Sequence, residues 1–181
     1  MKTWVILACA LVFASGACTK SEQPQGTAAA PQALLAEGAP APPIDTTAHT
    51  GEHVSLAALR GKPIVLYFYP KDDTSGCTKE ACEIRDAWQK FQDAGAVVLG
   101  VSTDDNVSHV AFAQKYKLPF LLLPDPGGAI AKAYGVPLRM GMAKRVTFII
   151  DRQGKITKVF PDVNPAGHAS EILAALSVQR T

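Results

Sequence analysis

The sequence predicts an α/β sandwich, a mixed sheet with helices packed against it. Three observations lead there. Short apolar runs rich in β-branched and aromatic residues alternate with stretches of helical period. Their order is βαβ, then αβ, then αββα, which is that of a layered α/β domain. The turn Asp151-Arg152-Gln153-Gly154 joins two late runs as a hairpin, so an antiparallel pair joins the parallel ones. With 181 residues, 48% hydrophobic and 19% charged, the chain holds one domain with a full core plus a tail. A formal net charge of +2 gives no reason to expect a nucleic-acid partner.

Taken in order, residues 1–17 read as a secretory signal. Lys2 supplies the positive start, and residues 4–14 form an apolar stretch too short to span a bilayer. Ser15, Gly16 and Ala17 are small residues ahead of Cys18. Two outcomes fit: cleavage before Cys18 with lipid on its thiol, or ordinary cleavage that leaves the thiol free. Ser15 departs from the leucine usual in lipoprotein signals. Lipidation is still favoured, because a lone thiol is a liability in an oxidising compartment. The expectation is an exported protein on the periplasmic side of a bacterial membrane, anchored through Cys18. Cys9 leaves with the signal. Residues 18–36, rich in Ala, Gln, Pro, Ser and Gly, read as a flexible linker, and residues 37–181 as the domain.

Within the domain, residues 37–62 read as a generic strand, turn and strand entry. Residues 64–69 form a buried strand stopped by Pro70. Cys77, Ala81, Ile84, Trp88 and Phe91 recur at spacings of three and four, one buried stripe on a helix from Cys77 to about Asp93. Residues 96–102 follow as a strand, 107–116 as a helix, 120–123 as a strand and 129–134 as a short helix stopped at Gly135. Strands at 145–150 and 155–160 and a helix at 169–176 close the domain.

Cys77 therefore sits where a strand hands over to a helix N-terminus. Unpaired N–H groups and the positive end of the helix dipole there favour thiolate over thiol. Cys82 lies five residues on. An intact helix puts the two Cα atoms roughly 8 to 9 Å apart, beyond the ~7 Å reach of a disulfide. An intact helix disfavours a permanent bridge, and a switching one requires the helix to open. Thr78, Lys79, Glu80 and Glu83 are polar, so the opening is expected to surrender little burial. Cys82 also has a bland reading, as a small buried helix residue. A free cysteine is only about 3% thiolate at pH 7, so full ionisation gains at most ~30-fold, about 2 kcal/mol. A fast thiol reaction needs further donors around the reacting oxygen. Thr74 offers a hydroxyl on the same turn, and Arg145 offers a permanent cation at the start of a strand. Alone, such an arginine is usually just solvated. His49, His53, His109 and His168 make no metal spacing with the cysteines and are expected on the surface. Trp88 and Phe91 belong to the core, and Lys144 to the surface.

The segment Tyr-Phe-Tyr-Pro-Lys-Asp-Asp-Thr-Ser-Gly-Cys-Thr-Lys-Glu-Ala-Cys, residues 67–82, resembles the active-site segment of the peroxiredoxins. The branch it resembles is the bacterioferritin comigratory protein, or Q-type, branch. Pro70, Thr74 and Cys77 match the family's Pro-x-x-x-Thr-x-x-Cys, and Cys82 stands at this branch's resolving position. Ser75 replaces the usual proline; the turn loses a pre-set φ angle, while Ser75 is expected to cap the helix. The opening Glu37-Gly38-Ala39-Pro40 through Ile44-Asp45, with Pro42 and Pro43 in addition, resembles the family's Gly-x-x-Ala-Pro, and the likeness runs over residues 35–176.

The resemblance implies a thioredoxin fold and a peroxidase. By it, Cys77 thiolate attacks hydrogen peroxide or an alkyl hydroperoxide and becomes sulfenic acid. Cys82 then condenses with it, and a thioredoxin-like dithiol protein reduces the disulfide. Arg145 falls at the family's invariant arginine, and Pro70 shields the thiolate. No metal, haem or flavin is implied, and a monomer is expected. Two other readings compete. A thioredoxin-type disulfide oxidoreductase needs Cys-x-x-Cys, not the Cys-x-x-x-x-Cys found here. A periplasmic copper-binding module on the same fold needs two close cysteines and a histidine.

Overall fold

The computed structural model describes residues 33–178. The signal segment, Cys9, Cys18 and residues 18–32 of the linker lie outside the described residues. The chain packs from slightly earlier than the expected start at 37. Leu34 and Leu35 lie against the core, and the Leu35 N–H donates to the Tyr134 carbonyl at 3.2 Å. Gly135 (φ +69°) makes room for this: a Cβ there would come within 2.1 Å of the Ala33 carbonyl oxygen.

A small antiparallel pair opens the domain, β1 (Asp45–Thr47) with β2 (His53–Ser55). The central sheet comprises β3 (Ile64–Phe68), β4 (Val97–Ser102), β5 (Leu121–Pro124), β8 (Val146–Ile150) and β9 (Ile156–Phe160), in the order β5-β4-β3-β8-β9. β3, β4 and β5 run parallel; β8 is antiparallel to β3 and β9 to β8. The sheet is mixed, as the sequence predicts. β3 and β8 are buried along their whole length, which is why their sequences are continuous apolar runs.

Side chains alternate across the two faces. Val65, Tyr67 and Ile149 pack beneath α1 (Ser75–Asp86), α2 (Trp88–Asp93), α3 (Asn106–Tyr116) and α5 (His168–Val178). Leu66, Phe68, Phe148 and Ile150 pack on the other face with Ile44, Val54 and Tyr134, next to α4 (Ala129–Ala133).

Two local features depart from expectation. The single helix foreseen to about Asp93 is two, α1 and α2, parted at Ala87 (φ −92°, ψ 7°). The apolar stripe continues through the break, so spacing alone did not reveal it; Trp88 and Phe91 still join the core, Trp88 partly covered. A short hairpin, β6 (Leu138–Arg139) with β7 (Met142–Ala143), precedes β8 and was not foreseen. Its turn places Met140 (φ 49°) and Gly141 (φ 79°) in the left-handed region. Two-residue strands carry too little alternation to be read from sequence.

Candidate active site

The candidate site lies beyond the carboxyl end of β3, where open α/β sheets characteristically place their ligands. Residues 69–74 carry the chain from β3 into α1, and two consecutive aspartates pin this loop to α3. Asp72 is buried, and its carboxylate accepts from Tyr69 Oη (2.7 Å), Ser108 Oγ (2.8 Å) and His109 Nδ1 (2.8 Å). Its own N–H donates to Asp104, which Ser102 Oγ also meets. Burial alone would push the Asp72 carboxyl up, but the bonds from His109, Tyr69 and Ser108 hold it below the usual range. Asp73 sits at φ 55°, in the left-handed region that aspartate enters more readily than most non-glycine residues. Lys115 Nζ (2.6 and 2.8 Å) and Tyr116 Oη (2.5 Å) hold it.

Thr74 is the N-cap residue of α1, and its carbonyl accepts the first helical bond from Thr78 N. Ser75, expected as the cap, is instead the first residue of the helix and is exposed. A proline at that position would cost no helical bond, because the N–H there is unpaired in any helix, so Ser75 gives up only the pre-set φ angle. The Thr74 hydroxyl donates to the Lys71 carbonyl (3.0 Å). Its hydrogen is therefore committed, and what it offers the site is lone pairs. Pro70 ends β3 and is half-buried.

Cys77 is in the first turn of α1 and only 2% exposed. Arg145, immediately before β8, donates from Nη2 to Cys77 Sγ at 3.2 Å. Gly76 leaves space for this guanidinium; a Cβ there would meet Arg145 Nη2 at 3.4 Å. The other arm of Arg145 pairs with Glu80 Oε2. Burial opposes the arginine's charge, but Glu80 and Cys77 together outweigh it and keep Arg145 firmly protonated. The structure thus brings Cys77, Arg145 and the loop of Thr74 together. Lys144 turns away to an exposed pair with Asp162.

Glu80 overturns one expectation. It is 1% exposed, not solvent-facing. The signal was present: Glu80 lies at i+3 from Cys77 and i−4 from Ile84, on the same buried stripe. Burial pushes its carboxyl up to about 7, and Arg145 offsets only part of that. Its Oε1 has no hydrogen-bond partner among the described residues. Glu83, also expected to face solvent, is half-covered and accepts from Gly167 N at 2.7 Å.

The histidines divide. His53 is exposed beside Asp45 and His49 is half-buried, whereas His109 and His168 are fully buried, contrary to the surface role expected for all four. His168 Nδ1 meets the Glu171 carboxylate (3.1 Å) and Nε2 meets Thr147 Oγ1 (2.8 Å). A carboxylate only accepts, so Nδ1 carries the proton and Nε2 presents a lone pair. The Thr147 hydroxyl donates to that lone pair, and Nε2 stands 3.9 Å from the bare Glu80 oxygen, too far to bond it. Burial lowers the His168 pKa, so no imidazolium compensates Glu80. A tertiary pairing with β8 buries this residue, and nothing in its local sequence announces it.

Cys82 is half-buried on α1, and both cysteines are free thiols. α1 runs unbroken through both, so the five-residue spacing keeps the sulfurs apart while it stays wound. Arg85 Nη1 donates to the Tyr116 carbonyl (2.7 Å). The last turn of α3 therefore holds both Asp73 and Arg85, one on each side of the two cysteines. Among the described residues, no group of three or more His, Cys, Asp or Glu is placed to hold a metal ion.

The sequence matches the AhpC/TSA family over residues 38–159. It is 46% identical over 146 residues to a putative peroxiredoxin bcp of Coxiella burnetii, covering 77% of this chain and 97% of that one. To a chloroplastic peroxiredoxin Q of Suaeda salsa it is 44% identical over 147 residues, covering 80% and 69%. Among solved structures, the bacterioferritin comigratory protein of Xanthomonas campestris superposes with a TM-score of 0.72 at 33% identity, covering 76% and 92%. That structure is described in terms of alkyl peroxide reduction and a trapped intermediate.

Proposed function

We propose, from the premise that this chain belongs to the AhpC/TSA family and to its peroxiredoxin Q branch, that Cys77 is its peroxidatic cysteine and Cys82 its resolving one. The chain is a thiol peroxidase. The observation that supports Cys77 is the 3.2 Å contact from Arg145, at a buried helix N-terminus. The Cys77 thiolate attacks one peroxide oxygen; the S–O bond forms as the O–O bond breaks. Alkoxide or hydroxide leaves and takes up a proton, and Cys77 remains as sulfenic acid. Arg145 and the unpaired N–H groups of the first α1 turn face the charge that develops on oxygen. Thr74, its own hydrogen committed to Lys71, accepts the peroxide's O–H and orients it. Pro70 screens the loop side of the thiolate.

Cys82 thiolate then attacks the Cys77 sulfur, the disulfide forms and hydroxide departs to become water. This step requires the first turns of α1 to unwind. Peroxiredoxins draw electrons from thioredoxin-like reductants, and such a dithiol protein is proposed to reopen this disulfide. Hydrogen peroxide and alkyl hydroperoxides are the proposed substrates, the latter supported by the Xanthomonas campestris relative. The protein is proposed to act as a monomer, with the catalytic domain at residues 37–181.

For the region outside the described residues, the proposal is a signal at 1–17 and a lipidated Cys18. A linker that starts at 18 and ends before the packed residues Leu34 and Leu35 would tether the domain at the periplasmic side of a membrane. Cys18→Ser should convert a detergent-extracted protein into a soluble one; mass spectrometry that finds Cys18 unmodified would refute the anchor. The catalytic assignment is tested by peroxide loss with a dithiol reductant. Cys77→Ser should be inert, and Cys82→Ser should turn over once and stop as sulfenic acid.

A further inference from the structure

We propose that Glu80 is a proton-operated latch on the first turns of α1, controlling disulfide formation separately from the peroxide reaction. The proposal rests on the Cys77–Cys82 disulfide proposed above. Closing that bond takes residues 77–82 out of the helix, and Glu80 lies in the middle of that segment with its carboxyl group fully buried. Unwinding therefore has to carry a buried acid into water.

The surroundings of Glu80 favour the neutral acid. Arg145, ahead of β8, meets Oε2 but divides its charge with Cys77 Sγ. From α5, the neutral His168 ring stands with Nε2 3.9 Å from Oε1, its lone pair taken by the Thr147 hydroxyl and Glu171 behind it, so it brings Oε1 neither charge nor a donor. From β3 comes the Tyr67 hydroxyl, itself buried and unpartnered among the described residues. On α1, Glu83 adds negative charge. A proton on Oε1 removes a buried charge that no donor meets on that side.

The consequence follows from linkage. Wound, Glu80 titrates at about 7; in water it returns to the ordinary carboxylate range near 4.5. A group that binds its proton more tightly in the wound helix stabilises that helix fully below about pH 4.5. This support is lost as pH rises to about 7 and is constant above it. The opening equilibrium therefore grows across that window, by roughly three hundredfold in all. Near neutrality the latch is released and the disulfide closes. At acid pH the helix stays wound, and the sulfenic acid waits for a second peroxide that takes it to sulfinic acid.

The test counts protons. Reduction of the disulfide rewinds α1, so at about pH 6 Glu80 should take up nearly one proton beyond those bound by the sulfurs. The same phosphine reductant, in weak buffer with a pH-stat, is applied to the oxidised parent and to oxidised Glu80→Gln. The parent should absorb roughly one proton more than the variant at pH 6, and the difference should vanish above pH 8 and below pH 4. Redox-difference infrared spectra of the parent give a second readout that needs no variant: a protonated-carboxyl band should be gained on reduction at pH 6. An intramolecular disulfide with equal proton counts, or with no such band, overturns the latch alone. Absence of a Cys77–Cys82 disulfide by mass spectrometry overturns the reading beneath it, and the latch with it.

Discussion

Two buried carboxyl groups flank Cys77, and they behave in opposite ways. Asp72, five residues before it, is held below the usual carboxylate range; Glu80, three residues after it, is pushed up to about 7. Burial is near complete at both. What differs is the supply of donors. Asp72 accepts from a tyrosine, a serine and a histidine, whereas Glu80 has half an arginine and one bare oxygen. A saturated buried charge fixes the backbone that carries it, and an under-supplied one makes its segment easier to release. The loop at 70–74 must stay still to position Thr74 and the approach to Cys77. The turns at 77–82 must move, and each acid suits the segment it sits in.

The largest effect should come from removing Cys77, the centre both acids surround. Cys77→Ser should abolish peroxide consumption, since a hydroxyl is not ionised at neutral pH. Normal turnover would end the account. Next comes Arg145, which touches both Cys77 and Glu80. Arg145→Ala should slow the peroxide step by ~10² or more, and Arg145→Lys should recover only part, lacking the planar fork. Stopped-flow measurement of the first step checks both variants; a parental rate in either would make Arg145 a bystander.

The two acids are then compared directly by stability against pH. Asp72 has a lowered pKa, so its contribution is present above about pH 4 and lost as pH falls through its folded value. Asp72→Asn should cost about 1 to 3 kcal/mol at pH 7, because three donors lose a charged acceptor, and should flatten the acid limb. Glu80 has the opposite sign: its contribution is full below about pH 4.5 and fades by about pH 7. Glu80→Gln should remove that decline. Thermal melts from pH 3 to 8 separate the two, and parallel curves would erase the contrast. The smallest effect belongs to the exposed rim. Tyr116→Phe removes one bond to the half-exposed Asp73 and should cost less stability than Asp72→Asn. A peroxide step slowed as much as in Arg145→Ala would show that the αL loop residue matters more than the buried acids.

Much of this was legible in the sequence. The strand 64–69, the helix starting near Cys77 and the hairpin at 151–154 follow from run length, period and turn chemistry, and all stand in the fold. Cys77 and Thr74 could be placed because strand, loop and helix are contiguous there. Arg145 needed the family likeness, because nothing local brings residue 145 to residue 77. Glu80 was misjudged from its polarity, although its place on the stripe of Cys77, Ala81 and Ile84 pointed inward. Asp72 with His109, and His168 with Thr147, were beyond reach. Each is a pairing across 21 or more positions, made by the sheet order and not by any local pattern. The break at Ala87 escaped because an apolar stripe reports which face is buried, not whether the backbone bonds are continuous.

The contrast between a fixed loop and a releasable helix is tested most directly by hydrogen exchange on the reduced protein and after one equivalent of peroxide. The account predicts that amides at 77–82 lose their protection on oxidation. Those at 70–73, tied through Asp72 and Asp73, and those of α2 beyond Ala87 should keep theirs. Unchanged exchange across 77–82, or protection lost equally from 70 through 93, would contradict it.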